Sequence, residues 1–138
     1  MSFLVDANVV SEAVRKVPDE RVLKWLEAND ADLFISTITL GEIEKGIVKL
    51  PVGPRRRRLD RWFDDLRAAM TGKILPFGEL EASAWAKYFE AQRAKGRLLP
   101  SSDSMISATA MVHALTVASR NVADFPDARV VNPWTVRS

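Results

Sequence analysis

The alternation of apolar and polar positions divides the chain into short apolar bursts and longer amphipathic stretches. "SFLVD" (2–6) ends on an acid, is too short for a helix, and suits a buried strand. "VVSEAVR" and "DERVLKWLEAND" read as helices; in the second, Val22, Trp25 and Leu26 share a face, and Pro18-Asp19 supplies a start. "ADLFIS" predicts a second strand. In "TLGEIEKGIVKL" the residues Leu40, Ile43, Ile47 and Leu50 recur at helical period until Pro51 breaks the run. After "PVGP" comes an arginine-rich helix whose apolar side is Leu59, Trp62, Phe63 and Leu66. "GKILPF" predicts a third strand, and 79–95 a helix with Leu80, Ala84, Trp85, Tyr88 and Phe89 in register, stopped by Gly96. A last helix is expected over 102–114, and the β-branched runs "LTVAS" and "ARVVN" flank the polar loop "RNVADFPD".

That order predicts an α/β fold, a three-layer α/β/α sandwich around a central, mainly parallel sheet. At 138 residues, 47% of them hydrophobic, the chain can bury one continuous core. It shows no internal repeat or linker, so one domain over 1–138 is expected.

Composition narrows the chemistry. The sequence has no cysteine, which removes disulfides, thiolate metal sites and cysteine nucleophiles together. No charged-then-apolar leader opens it, and no apolar run approaches the ~20 residues of a membrane span. A cytoplasmic protein with no membrane partner is expected. The net charge of +2 is too mild to argue for nucleic acid as a total. Its distribution says more: between Pro54 and Lys73 there are seven basic and three acidic residues. Arg55, Arg56, Arg57 and Arg58 could contact RNA phosphates or a partner. The favoured reading is the plainer one, a solvated helix face with Arg56–Asp60 and Arg61–Asp65 as surface pairs, since charge runs are commoner than binding sites.

Ligands of parallel sheets bind beyond the carboxyl ends of the strands, and acids fall there. Asp6 follows the first strand, Glu42 lies in the helix after the second, and Asp124 in the loop after "LTVAS". Asp103 opens the helix that leads into that strand. Each has an ordinary explanation. Asp6 can cap a helix, Asp124 (like Asp127) can sit in a turn, and Thr39-x-x-Glu42 has the spacing of a capping box. Asp103 suits the helix dipole beside a capping Ser101 or Ser102. Together, however, four acids from four segments imply a chosen charge. Converging carboxylates repel, and a hard divalent cation, Mg²⁺ or Mn²⁺, removes that cost. Such a cation also activates water for attack on a phosphodiester. The lone His113, late in its helix, is expected to be structural.

These segments, "FLVDANVVSE", "STITLGEIEKGI", "LPSSDSMISATA", "ASRNVADF" and "VVNPW", resemble the PIN-domain ribonucleases, specifically the VapC and FitB-like toxins of bacterial toxin–antitoxin pairs. The likeness runs from Phe3 to Trp134. It implies a metal-dependent endoribonuclease with the catalytic quartet Asp6, Glu42, Asp103 and Asp124. It implies metal at Asp6 and Asp103, with Asp124 as a third candidate ligand. Asn8 and Asn121 travel with these motifs as supporting residues. A cognate antitoxin and a homodimer are implied as partners. Candidate contact residues for the dimer are Trp62, Phe63, Trp85 and Phe89; candidate groove faces for an antitoxin helix are 22–26 and 59–66. Ala7 departs from the family, which often carries Thr or Ser there, and Ser104 is a candidate substitute for the missing hydroxyl. Two alternatives stay open: a catalytically weakened RNA- or antitoxin-binding module, which would explain Ala7, and a metal-dependent phosphatase, which would explain the acids.

Overall fold

In the computed structural model, which describes residues 1–136, five strands form one all-parallel sheet. The strands are β1 (Phe3–Val5), β2 (Leu33–Ser36), β3 (Ile74–Leu75), β4 (Thr116–Ala118) and β5 (Val130–Val131), in the order β3-β2-β1-β4-β5. Six helices connect them: α1 (Ala7–Ser11), α2 (Glu20–Ala28), α3 (Thr37–Val48), α4 (Pro54–Ala69), α5 (Glu79–Ala94) and α6 (Ser101–Val112). The "ADLFIS" run divides, with Asp30–Asp32 forming a 3₁₀ turn and only Leu33–Ser36 entering the sheet.

The central strands carry apolar residues on both faces because both faces are covered. Phe3, Val5 and Ile35 pack with Val9, Val22, Trp25, Ile43, Ile47 and Phe63 from α1 to α4. Leu4 and Val117 point the other way, to Ile106 and Ala110 of α6 and to Phe125. These two clusters, one on each face of the sheet, are the two interfaces of the expected three-layer sandwich. The chain leaves β1 toward β2 and β3, then returns to place β4 on β1's other side. The switch point therefore lies between β1 and β4, where a parallel sheet opens its ligand crevice.

Several local expectations are corrected. Leu80 is 72% exposed, while Glu81 and Gln92 are buried. The inner face of α5 is thus Glu81, Tyr88 and Gln92, with Trp85 half-buried. Glu81 goes inward because its carboxylate accepts the Gly78 N–H at 2.8 Å and meets His113 Nε2 at 3.1 Å. His113 is the C-cap of α6, and its ring is engaged with Glu81. Gly96, with φ of +80°, ends the α5 segment in the left-handed conformation glycine favours. Phe63 is buried in the core and is withdrawn from any contact face. Arg56 donates to the Leu50 carbonyl at 3.3 Å, and among the described residues neither Arg56–Asp60 nor Arg61–Asp65 pairs.

Candidate functional site

Asp6 stands at the switch point. Its backbone N–H extends the β1–β4 ladder to the Ala118 carbonyl at 2.9 Å, and its Oδ1 caps α1 by accepting the Ala7 N–H at 2.9 Å. Oδ2 accepts the Ser119 hydroxyl at 2.7 Å. Asp6 is only 6% exposed. Burial pushes its carboxyl above the usual range, the Ser119 and Ala7 bonds pull it down, and the charge of Asp124 adds to the rise.

Ser119 was not singled out from the sequence, and it is the hub of this corner. Besides donating to Asp6, its oxygen accepts the Asn121 N–H at 3.1 Å and the Asn8 amide at 3.4 Å. The signal lay in "ASRN": a small polar residue closing an apolar strand beyond which the site was already expected. Asn8 also takes the Arg120 N–H on Oδ1 at 3.5 Å, tying α1 to the loop after β4. Asn121 contributes through its backbone, its carbonyl accepting the Asp124 N–H at 3.0 Å; its side chain makes no capping bond.

The other three acids arrive on separate elements. Ser36, not Thr39, caps α3, its hydroxyl accepting the Ile38 N–H at 3.0 Å. The helix starts at Thr37, so no Thr39–Glu42 capping box forms, and Glu42 lies half-exposed one turn in. Asp103 occupies the first turn of α6, whose N-cap is Pro100 with no side-chain cap; the expected serine cap is absent. Ser104 donates to the Ser101 carbonyl at 2.7 Å and accepts the Trp85 indole N–H at 2.9 Å. It is committed to joining α5 and α6 and does not stand in for a hydroxyl at position 7. Asp124 ends a 3₁₀ turn, Val122–Asp124, after β4.

Asp103 lies within reach of the charges of the other three. Asp103 is pushed up to about 6, first by burial and then by the charges of Asp6, Asp124 and Glu42. The carboxylates of Glu42, Asp103 and Asp124 accept no hydrogen bond from a described residue. Among the described residues no three of His, Cys, Asp or Glu stand together as a ready-made cation cage. Mg²⁺ needs none, since it keeps several waters and takes one or two protein carboxylates. An all-oxygen set with one buried, pre-oriented aspartate and a neighbour under like-charge pressure fits such an ion.

A groove of about 940 Å³ leads away from Glu42 between α1, α3 and α4. Ile43, Ile47, Leu59 and Trp62 lie along it, and Arg15, Lys16, Arg55 and Arg58 edge it. The 59–66 face thus contributes to a groove as expected. The 22–26 face does not: none of its residues lines the groove, and Val22 and Trp25 pack in the core. Among the described residues no helix is long and apolar enough to cross a membrane.

A parallel sheet covered on both faces, with an aspartate at the switch point where such sheets open their ligand crevice, defines an α/β sandwich. Within that class the chain belongs to the PIN domain family, which it matches over residues 3–130. Toxin FitB of Neisseria gonorrhoeae is 36% identical over 136 residues, 96% of this chain and 98% of that protein. VapC ribonuclease Y4jK of Sinorhizobium fredii is 34% identical over 137 residues, covering 96% and 97%. The structure of FitAB bound to a DNA fragment superposes with a TM-score of 0.91 at 34% identity, covering 99% of this chain and 98% of that one.

Proposed function

We propose that this protein, acting as one domain over 1–138, is a divalent-metal-dependent endoribonuclease of the cytoplasm and the toxin of a toxin–antitoxin pair. Asp6, Glu42, Asp103 and Asp124 are its catalytic acids. The observation that carries the reading is Asp6 at the β1–β4 switch point with both oxygens held in advance by Ser119 and the Ala7 N–H; the upward pressure on Asp103 from burial and the other three acids supports it. The relatives named as a toxin and as a ribonuclease match nearly the whole chain and supply the reaction class.

Asp6 and Asp103 would hold Mg²⁺ or Mn²⁺, with Asp124 as a third ligand. When bound, the cation balances the acids and lowers the pKa of water for attack on phosphorus. The chain's own contribution is orientation. Ser119 and the Ala7 N–H fix both oxygens of Asp6 in advance, while Asn8 holds α1 to the loop that bears Asp124. Ser119 meets Asp6 directly, so Ala7 does not leave that carboxylate without a donor; this weighs against a catalytically weakened module.

The solved FitAB assembly supports an antitoxin partner. The groove beside Glu42 combines apolar walls with cationic edges, which suits an amphipathic acidic segment. An arginine from that partner would answer the acids bidentately. A homodimer is retained, with Trp62, Trp85 and Phe89 as contact candidates.

Single-turnover cleavage of an RNA and of a small phosphate ester, each with and without Mg²⁺, tests the reading. RNA cleavage that needs Mg²⁺ and is lost in Asp103→Asn is the expected result. Ester hydrolysis alone would establish a phosphatase, and RNA binding without cleavage a binding module.

A further inference from the structure

Asp124 has the least structure of its own to hold it. Glu42 and Asp103 lie on helices of 12 residues each, and Asp6 follows a central strand. Asp124 ends a turn of 3 residues in the connection from β4 to β5. The near end of that connection is tied by the Asn121 N–H to Ser119 and the Arg120 N–H to Asn8. What fixes its far end comes from α5.

Phe125, 2% exposed, plugs the core beside Leu4 and Val117. The next carbonyl, of Pro126, accepts the Tyr88 hydroxyl at 2.6 Å. Asp127 Oδ2 then accepts the Gln92 amide at 2.6 Å and the Lys95 ammonium at 3.4 Å. Tyr88 and Gln92 are four residues apart, on one face of α5, and both are buried. Gln92 is 2% exposed. A buried amide is costly unless both ends are bonded, and here Oε1 accepts Arg97 at 3.1 Å while Nε2 serves Asp127. Leucine would fill the same space without that condition, so packing alone does not explain glutamine. Asp127 itself stands at φ +64°, a left-handed conformation that Asp and Asn adopt more readily than other side chains. The backbone is turned to present this carboxylate to α5.

We propose that Tyr88 and Gln92 are positioning residues for Asp124: by gripping residues 126–127 they fix the turn that carries the fourth acid of the site. The proposal rests on the reading of Asp124 as a catalytic acid. The turn is thereby suspended between the Ser119 corner and α5, and α5 becomes part of the site without touching it.

Tyr88→Phe removes one hydroxyl and keeps the ring. Gln92→Glu faces the Asp127 carboxylate with a second one and drives them apart. Asp127→Asn keeps the left-handed backbone and an acceptor for Gln92, and serves as the conservative control. Two measurements on the full chain read the outcome. Without metal, hydrogen exchange at the Asp124 and Phe125 amides, which bond the Asn121 and Val122 carbonyls, should accelerate in Tyr88→Phe and Gln92→Glu. Amides of β1 and Asp127→Asn should stay as in the wild type. In Mn²⁺ titrations the first two variants should bind about tenfold more weakly and show no further loss in an Asp124→Asn background. Unchanged exchange at those two amides overturns the proposal. So does loss of protection throughout the molecule, or an equal loss of Mn²⁺ affinity in both backgrounds. If exchange responds while the wild type binds no Mn²⁺, the grip on the turn stands and the metal-dependent reading of the site falls.

Discussion

Asp103→Asn should make the metal-free protein more stable at neutral pH while abolishing cleavage. The wild-type carboxyl rises from 3.8 to about 6 on folding, by burial and then by the charges of Asp6, Asp124 and Glu42. The folded state therefore holds a proton that the unfolded chain releases between pH 4 and 6, and stability falls as pH climbs through that window. Above pH 6 the penalty is complete. The full rise corresponds to about 3 kcal/mol, and the solvent that still reaches this half-buried group screens it to about 1–2 kcal/mol. Asparagine abolishes the penalty and also forfeits the attraction of a first-turn anion for the helix dipole, about 0.5 kcal/mol. A net gain of about 1 kcal/mol remains, or about 3–5 °C in Tm for a chain of this size. Urea unfolding in EDTA at pH 4, 5, 6 and 7 reads it directly: the two proteins should agree near pH 4 and separate by pH 7. Mg²⁺ should then stabilise the wild type more than the variant. Parallel pH profiles, or a variant less stable at pH 7 in EDTA, would refute the reasoning.

Glu42→Gln should leave stability within about 0.5 kcal/mol, a typical surface effect, because Ser36 already caps α3; single-turnover cleavage should fall. Ser119→Ala removes a buried donor to Asp6, which should cost about 1.5–3 kcal/mol by denaturant titration. Without that bond the Asp6 carboxyl rises further, so the acidic limb of the cleavage profile should move to higher pH. Replacing Arg55, Arg57 and Arg58 with Ser should weaken RNA binding and flatten its salt dependence, by about 0.7 in the logarithmic slope for each lost contact to single-stranded phosphate. An unchanged slope returns these arginines to the solvent.

The layers were legible because their cause is local. "SFLVD" and "LTVAS" are apolar on both faces, which only a doubly covered strand requires. Asp6, Glu42 and Asp124 were legible for a related reason, since they come after strands whatever the helices between them do, while Asp103 was legible as an acid opening the helix before β4. What escaped the sequence depends on distant partners. Glu81 is buried because His113, 32 residues away, and the Gly78 N–H receive it; an apolar periodicity favours Leu80 instead. Thr39-x-x-Glu42 satisfies the spacing of a capping box, but Ser36, closing β2, starts the helix earlier. Ser119 could be read as a strand end and no more, because its value lies in meeting Asp6, 113 positions earlier.

The pairing of β1 with β4 sets Phe3 beside Thr116 and Leu4 beside Val117. The first and fourth acids are therefore neighbours in space and almost the whole chain apart in synthesis. While a ribosome is still translating the stretch between them, Asp6 has neither its Ser119 donor nor the strand that seats it. A corner built this way stays incomplete in the nascent chain until β4 and the residues just after it have been made.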